Sequence, residues 1–231
     1  MDVMRYERAL IVGTGQGLSA SLARLFAREG MKVALASRNP AGLAALCKET
    51  GARAFACDAA DRGQVERLYM EVDAALGVPD VVVYNPSARA RGPIAELDPA
   101  DVQRALAVCG YGAFLVAQQA ARRMLPKKHG AILFTGASAS VKGYAQSAPF
   151  AMGKFAQRGL AQSMARELAP QGIHVAHFII DGGIAREGRA ASAPDALLDP
   201  DAIATNYLHV LRQPRSAWTW EIEVRPWVEK F

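Results

Sequence analysis

The sequence predicts a three-layer α/β fold: a doubly wound parallel sheet of about seven strands, with helices on both faces, in one domain. Three observations carry this. Short β-rich apolar runs alternate with amphipathic segments in the order βαβαβαβαβαβ. The runs are apolar almost throughout, as strands covered on both faces must be. The chain of 231 residues is long enough to bury roughly three quarters of its unfolded surface around one core.

Strands are expected over residues 9–13, 32–36, 53–57, 80–84, 131–135 and 174–180, where aliphatic and aromatic residues concentrate. Between them, residues 19–28, 40–49, 64–76, 99–125 and 148–169 carry apolar positions at three- and four-residue spacing. Pro40 and Pro99 stand near two of the helix starts. Such alternation requires right-handed crossovers between parallel strands. Residues 218–224 offer one more short strand at the far edge, and residues 181–206, rich in Ala, Gly, Asp and Pro, read as irregular or loosely helical. No repeat and no domain boundary interrupts residues 1–231. In a sheet of this kind ligands gather at the carboxyl ends of the strands, where the strand order reverses. The segments that begin at Gly13, Ser37, Asp58, Asn85, Gly136 and Asp181 are therefore the ones to inspect.

Composition narrows the function. With 51% hydrophobic and 21% charged residues the chain is an ordinary globular one. Its net charge of +5 is scattered rather than gathered on one element, which argues against nucleic acid. The densest cluster, Arg122, Arg123, Lys127, Lys128 and His129, falls at an expected helix end, where cations complement the macrodipole. Residues 1–8 carry four charges and no apolar core of a signal peptide, and no run of about 18 apolar residues follows, so neither secretion nor a membrane span is expected. Cys47, Cys57 and Cys109 are odd in number and lack a CxxC pair, which fits a reducing, cytoplasmic setting without a zinc site.

The first chemical signal is Gly13-Thr14-Gly15-Gln16-Gly17-Leu18-Ser19, between the first strand and the first helix. Gly13 and Gly15 are expected to take backbone angles closed to other residues, and Gly17 to let the chain approach a pyrophosphate at the helix N-terminus. This is the turn of a Rossmann-type dinucleotide site. About twenty residues on, the second strand ends at Ser37-Arg38, where an NAD-selective site places a carboxylate. A hydroxyl and a planar guanidinium suit a 2′-phosphate instead, so NADP(H) is expected and NAD(H) is the poorer fit.

These features resemble the short-chain dehydrogenase/reductase family over nearly the whole chain. The glycine turn is similar to the family's G-x-x-x-G-I/L-G, with Ser19 in place of the last glycine; Cys57-Asp58-Ala59 resembles its third-strand end; Tyr84-Asn85-Pro86-Ser87 stands at its N-N-A-G segment. The resemblance adds Asp58, Ala59 and Asn85 to the cofactor contacts, beside Gly13, Thr14, Gly15, Gln16, Gly17, Leu18, Ser37 and Arg38. It implies hydride transfer between nicotinamide and a carbonyl or alcohol carbon, with a Tyr as proton donor, a Lys lowering its pKa, a Ser on the substrate oxygen and an Asn anchoring a water relay.

The family's Y-x-x-x-K corresponds here to Phe150-Ala151-Met152-Gly153-Lys154. Phenylalanine has no ionisable proton. The Ser position falls on Ala137, with Ser138 one place on as its substitute if the loop is one residue shorter, and the Asn position falls on Cys109. After the sixth strand the usual P-G reads Asp181-Gly182. Lys154 survives and, by resemblance, also binds the nicotinamide ribose; Lys154 and Ser138 are the remaining catalytic candidates. Residues 181–206 are implied as the substrate-loop region.

Other candidates are weaker. His174 and His177 lie three apart in a strand and point to opposite faces; Cys109 has no His near it in sequence; Tyr144 reads as a surface-loop aromatic more than as a replacement proton donor. Two functions follow: an NADPH-dependent oxidoreductase of atypical active site acting on a small carbonyl or alcohol, and a non-catalytic NADP(H)-binding sensor or scaffold. The segments 99–125 and 148–169 carry small residues, among them Ala117, Ala120, Ala121, Ala156, Gly159 and Ala161, and the resemblance implies that these helices pair subunits into a homodimer or homotetramer.

Overall fold

The computed structural model describes residues 5–186 and 188–229. Seven parallel strands form one sheet in the order β3-β2-β1-β4-β5-β6-β7: β1 (Arg8–Val12), β2 (Lys32–Ser37), β3 (Arg53–Ala56), β4 (Val81–Tyr84), β5 (Gly130–Thr135), β6 (Ile173–Ile180) and β7 (Glu221–Val224). The expected doubly wound fold is thus present, with the order reversing between β1 and β4.

Strand alternation makes two cores. Ala9 and Ile11 of β1, Val33 and Leu35 of β2, and Val81 and Val83 of β4 pack with α1 (Leu18–Arg28) and α7 (Pro200–Leu211). Leu10, Val12, Ala34, Ala36, Val82 and Tyr84 face the other way, onto α3 (Arg62–Leu76), α5 (Gly112–Met124) and α6 (Ala148–Leu168). His174 and His177 of β6 follow the same rule. His174 stacks on Trp218 at 4.5 Å between ring centroids and bonds the Thr219 carbonyl at 2.8 Å, whereas His177 bonds Glu221 on the opposite face.

Two expected helices differ from the sequence pattern. The segment 40–49 opens as a 3₁₀ turn, Pro40–Leu43, before α2 (Ala44–Thr50). The segment 99–125 is two helices, α4 (Pro99–Leu106) and α5, joined by a π-turn over Ala107–Tyr111. A Cβ at Gly112 would stand 2.6 Å from the Ala59 carbonyl oxygen and from Tyr84 Oη, so glycine brings the helix onto that backbone. The widened turn presents the Val108 carbonyl to the Tyr84 hydroxyl, which donates to it.

The irregular reading of residues 181–206 needs correction at its end, because residues 200–206 belong to α7. Asp199 caps that helix by accepting from the Asp201 amide at 3.0 Å, Pro200 occupies its first turn, and Ile203, Ala204, Tyr207 and Leu208 are buried. The Asp199-Pro200 pair was the available signal.

Candidate functional site

A cleft of about 830 Å³ opens at the carboxyl ends of β1, β2 and β4. Gly13, Thr14, Gly15 and Gln16 form one wall; Ser37 and Arg38 close the end by β2; Asp58, Ala59 and Asn85 complete the floor. Nine of the residues named from sequence therefore converge, counting these three groups of four, two and three. Gly17 and Leu18 do not reach the wall: Gly17 caps α1 with φ 86, and Leu18 is buried in the core.

Of the two glycines expected to take backbone angles closed to other residues, Gly13 does so and Gly15 does not. Gly13 has φ +81, and a Cβ there would meet the Pro86 backbone nitrogen at 2.5 Å, so its role is close packing against the loop after β4. Gly15 is not among the positive-φ residues; a Cβ there would meet nothing within 4 Å, which leaves the cleft open beside it. The amides of Gly13 and Thr14 both donate to the Ala36 carbonyl at 2.9 Å, whereas those of Gly15 and Gln16 have no protein partner among the described residues. An anion at the start of α1 would meet the latter pair and the positive end of the helix.

Ser19, where the resemblance has glycine, laces the turn together. Its hydroxyl donates to the Gly13 carbonyl at 3.2 Å and accepts from Asn85 Nδ2 at 2.5 Å. Asp58 accepts from the Ala60 amide at 3.0 Å. The Ser37 hydroxyl is buried with no partner, and Arg38 beside it is exposed and forms no ion pair among the described residues. A buried hydroxyl without a partner costs free energy on the order of 1–3 kcal/mol, a cost that a polar ligand or a water at this end of the cleft would relieve.

On the other side of β4 and β5 lies a second recess of about 500 Å³, with Ser138, Phe150, Tyr144 and Arg89 in its wall. Phe150 is only 5% exposed and packs with Cys109, Ala139 and Ala137 in a small apolar cluster. Cys109 Sγ bonds the Ala88 amide and carbonyl at 3.4 and 3.5 Å, a buried structural role. Gly153 admits it, since a Cβ at Gly153 would lie 2.6 Å from Cys109 Cβ. The Arg89 guanidinium stacks on the Phe150 ring, 4.1 Å from its centroid, and Arg89 lines the larger cleft as well. It joins the two cavities and was not identified from sequence; its signal was a basic pair, Arg89 and Arg91, directly after β4.

Lys154 lies on neither cavity wall. Its ammonium donates to the Thr135 carbonyl at 2.8 Å and to Gln157 Oε1 at 3.0 Å, and sits 6.0 Å from the Phe150 centroid. Burial, aided by Arg89, lowers its pKa from 10.5 to about 8. The folded protein therefore binds this proton less readily than the unfolded chain, so stability rises with pH between about 8 and 10.5 and gains nothing below that window. Lys154→Met is expected to flatten this rise; melting curves across the window check it, and an unaltered slope would count against the assignment.

Residues 7–192 match the family model described as short chain dehydrogenase. The chain belongs to the short-chain dehydrogenase family. Among its relatives is the D-threitol dehydrogenase of Mycolicibacterium smegmatis, 30% identical over 172 residues that cover 72% of this chain and 66% of that protein, just under two thirds of its length. A solved short-chain dehydrogenase from Rhodopseudomonas palustris is 35% identical, with a TM-score of 0.84 over 96% of this chain and 100% of the other. A metagenomic short-chain oxidoreductase in complex with NADP is 26% identical, again with a TM-score of 0.84, over 96% and 98% of the two chains. This short-chain dehydrogenase family member thus shares its fold with a protein that carries NADP. Among its described residues no helix is long and apolar enough to cross a membrane.

Proposed function

We propose that the protein is an NADPH-dependent oxidoreductase with an atypical active site, acting on a small carbonyl or alcohol. The observation that carries this reading is the Ser37 hydroxyl beside Arg38, both without a partner among the described residues, at the point where the ribose phosphate of NADPH would lie. The Gly15 and Gln16 amides would meet the diphosphate, and Asp58, Ala59 and Asn85 the adenine and nicotinamide halves of the cleft. Bound there, NADPH supplies a hydride to a carbonyl carbon.

The chain's own part in the proton step is reduced. Phe150, Ala137 and Cys109 occupy, by resemblance, the positions of the Tyr, Ser and Asn, and they pack together as an apolar cluster. Ser138 in the recess wall remains to hold a substrate oxygen, and solvent entering the recess supplies the proton. Lys154 holds its charge beneath the site and reaches a ribose hydroxyl only by leaving Thr135 or Gln157, or with its third ammonium hydrogen. Residues 181–199, with Gly182, Gly183 and Arg189 in the recess, act as the substrate loop. The same apolar cluster favours a second reading, a non-catalytic NADP(H) sensor or scaffold. Titration of the protein's effect on nicotinamide fluorescence, followed by NADPH oxidation against varied carbonyl compounds, separates them: tighter binding of NADPH than NADH with measurable oxidation is expected, and equal affinities would overturn the cofactor assignment.

The protein acts as a homodimer or homotetramer in this proposal, in the reducing cytoplasm that its free cysteines suit. Of the small residues on α5 and α6, Ala117, Ala120 and Ala161 lie inside the core and take no part in pairing. The outward faces instead carry Tyr111, Phe114, Met152 and Phe155, each at least 41% exposed. Light scattering is expected to give a dimer or tetramer mass, reduced to a monomer by Phe114→Asp with Phe155→Asp; a monomeric native protein would refute the assembly.

A further inference from the structure

The recess beside Phe150 is more basic than a neutral substrate needs. Arg89 and Arg91 come from the loop after β4 and Arg189 from the loop after β6, and all three line the same space of about 500 Å³. Chain stretches a hundred residues apart thus converge on one volume with guanidinium groups. Among the described residues, the one carboxylate on this lining is Glu229, and none of the three arginines forms an ion pair. The nearby buried Asp181 does not offset them, because its carboxylate already holds Lys142 and Arg225, each at 3.4 Å.

All three side chains are exposed, and two of them are held in place by contacts within the protein. Arg89 is fixed over the Phe150 ring, and Arg189 packs on Gly183, where a Cβ would lie 2.0 Å from its terminal nitrogen. Partial burial, then the like charges of Arg91 and Arg189, lowers the pKa of Arg89, which places Arg89 within the field of each of the other two. Guanidinium groups held together without a counterion are relieved by an oxyanion, whose oxygens match the planar fork. Because Arg89 also lines the dinucleotide cleft, a ligand anchored in the recess would lie directly beside that cleft. The volume lies within the usual range for small-molecule sites.

From this convergence we infer that the substrate is a small organic anion, a carbonyl or hydroxy compound bearing a carboxylate or a phosphate ester, anchored by Arg89, Arg91 and Arg189. This rests on the proposed oxidoreductase reading for the word substrate, but the anion site itself does not depend on turnover.

The test is binding to the NADPH-loaded protein, followed by calorimetry, with 2-oxoglutarate and dihydroxyacetone phosphate as probes and 2-pentanone and dihydroxyacetone as their uncharged counterparts. At least one anion is expected to bind about tenfold or more tightly than its counterpart, and which anion wins decides between carboxylate and phosphate. Arg91→Met with Arg189→Met, which leaves the cleft residue Arg89 in place, is expected to weaken that anion about tenfold or more without altering the affinity for NADPH. Anions that bind no better than neutral compounds, or a double variant that binds them as before, would overturn the inference. Should NADPH itself fail to bind, the oxidoreductase reading falls, and the same comparison on the free protein still upholds or overturns the anion site.

Discussion

Phe150→Tyr is expected to raise NADPH-dependent carbonyl reduction by a factor of about 10² to 10⁴, the usual contribution of a positioned acid or base. At about 1.4 kcal/mol per tenfold this is roughly 3–5 kcal/mol of barrier. The ring already stands in the recess wall, with the Lys154 ammonium 6.0 Å from its centroid and the Arg89 guanidinium 4.1 Å away across its face. Both cations favour a phenolate over a phenol, which opposes the rise that burial alone would impose on a hydroxyl added here. The gain should follow the charge of Lys154, whose pKa is about 8, and Lys154→Met in the same background should remove most of it. Adding Ala137→Ser supplies a donor to the substrate oxygen and should raise the rate again. Initial rates over a panel of carbonyl compounds, including anionic ones, measure this. No gain in either variant would show that the recess is not assembled for chemistry and would favour the sensor reading.

Much of the scaffold was legible because its strands are buried on both faces, which leaves continuous apolar runs that periodicity detects directly. The larger cleft was legible for a related reason: its residues sit at strand ends, so finding the strands located Ser37, Asp58 and Asn85 on its lining. What escaped depends on groups that meet only in three dimensions. The π-turn at Ala107–Tyr111 leads into Gly112, which the Ala59 backbone requires, and Gly13 is required by Pro86, a loop away. Helix α7 was hidden because its first turn shares the Ala- and Asp-rich composition of the loop before it. Arg89 reads in the sequence as one more scattered cation; only the fold brings it over Phe150 and beside Arg189. The positions of Cys109, Ala137 and Phe150 could be aligned with the family pattern, but that they pack on one another, and so form a dry wall, required the structure.

Arg38→Asp is expected to reverse the cofactor preference. In the native protein the guanidinium forms no ion pair among the described residues at the end of β2, with the buried Ser37 hydroxyl next to it, so a 2′-phosphate would gain one charge-assisted partner and one neutral one. A hydrogen bond to a charged group contributes about 1.5–3 kcal/mol, which corresponds to roughly 10- to 150-fold in affinity. The substitution removes that partner and sets a carboxylate against the phosphate, so the loss for NADPH should reach about 100-fold. NADH should gain, because a carboxylate at this point of the fold accepts from the free ribose hydroxyls. The site is exposed, so the native contribution should shrink as salt is raised, which gives the assignment a second signature. Fluorescence titrations of both nucleotides at low and high ionic strength measure all of this. A variant that binds NADPH as the native protein does would mean that the ribose end lies elsewhere, and Ser37 would then have no partner that the cleft can supply.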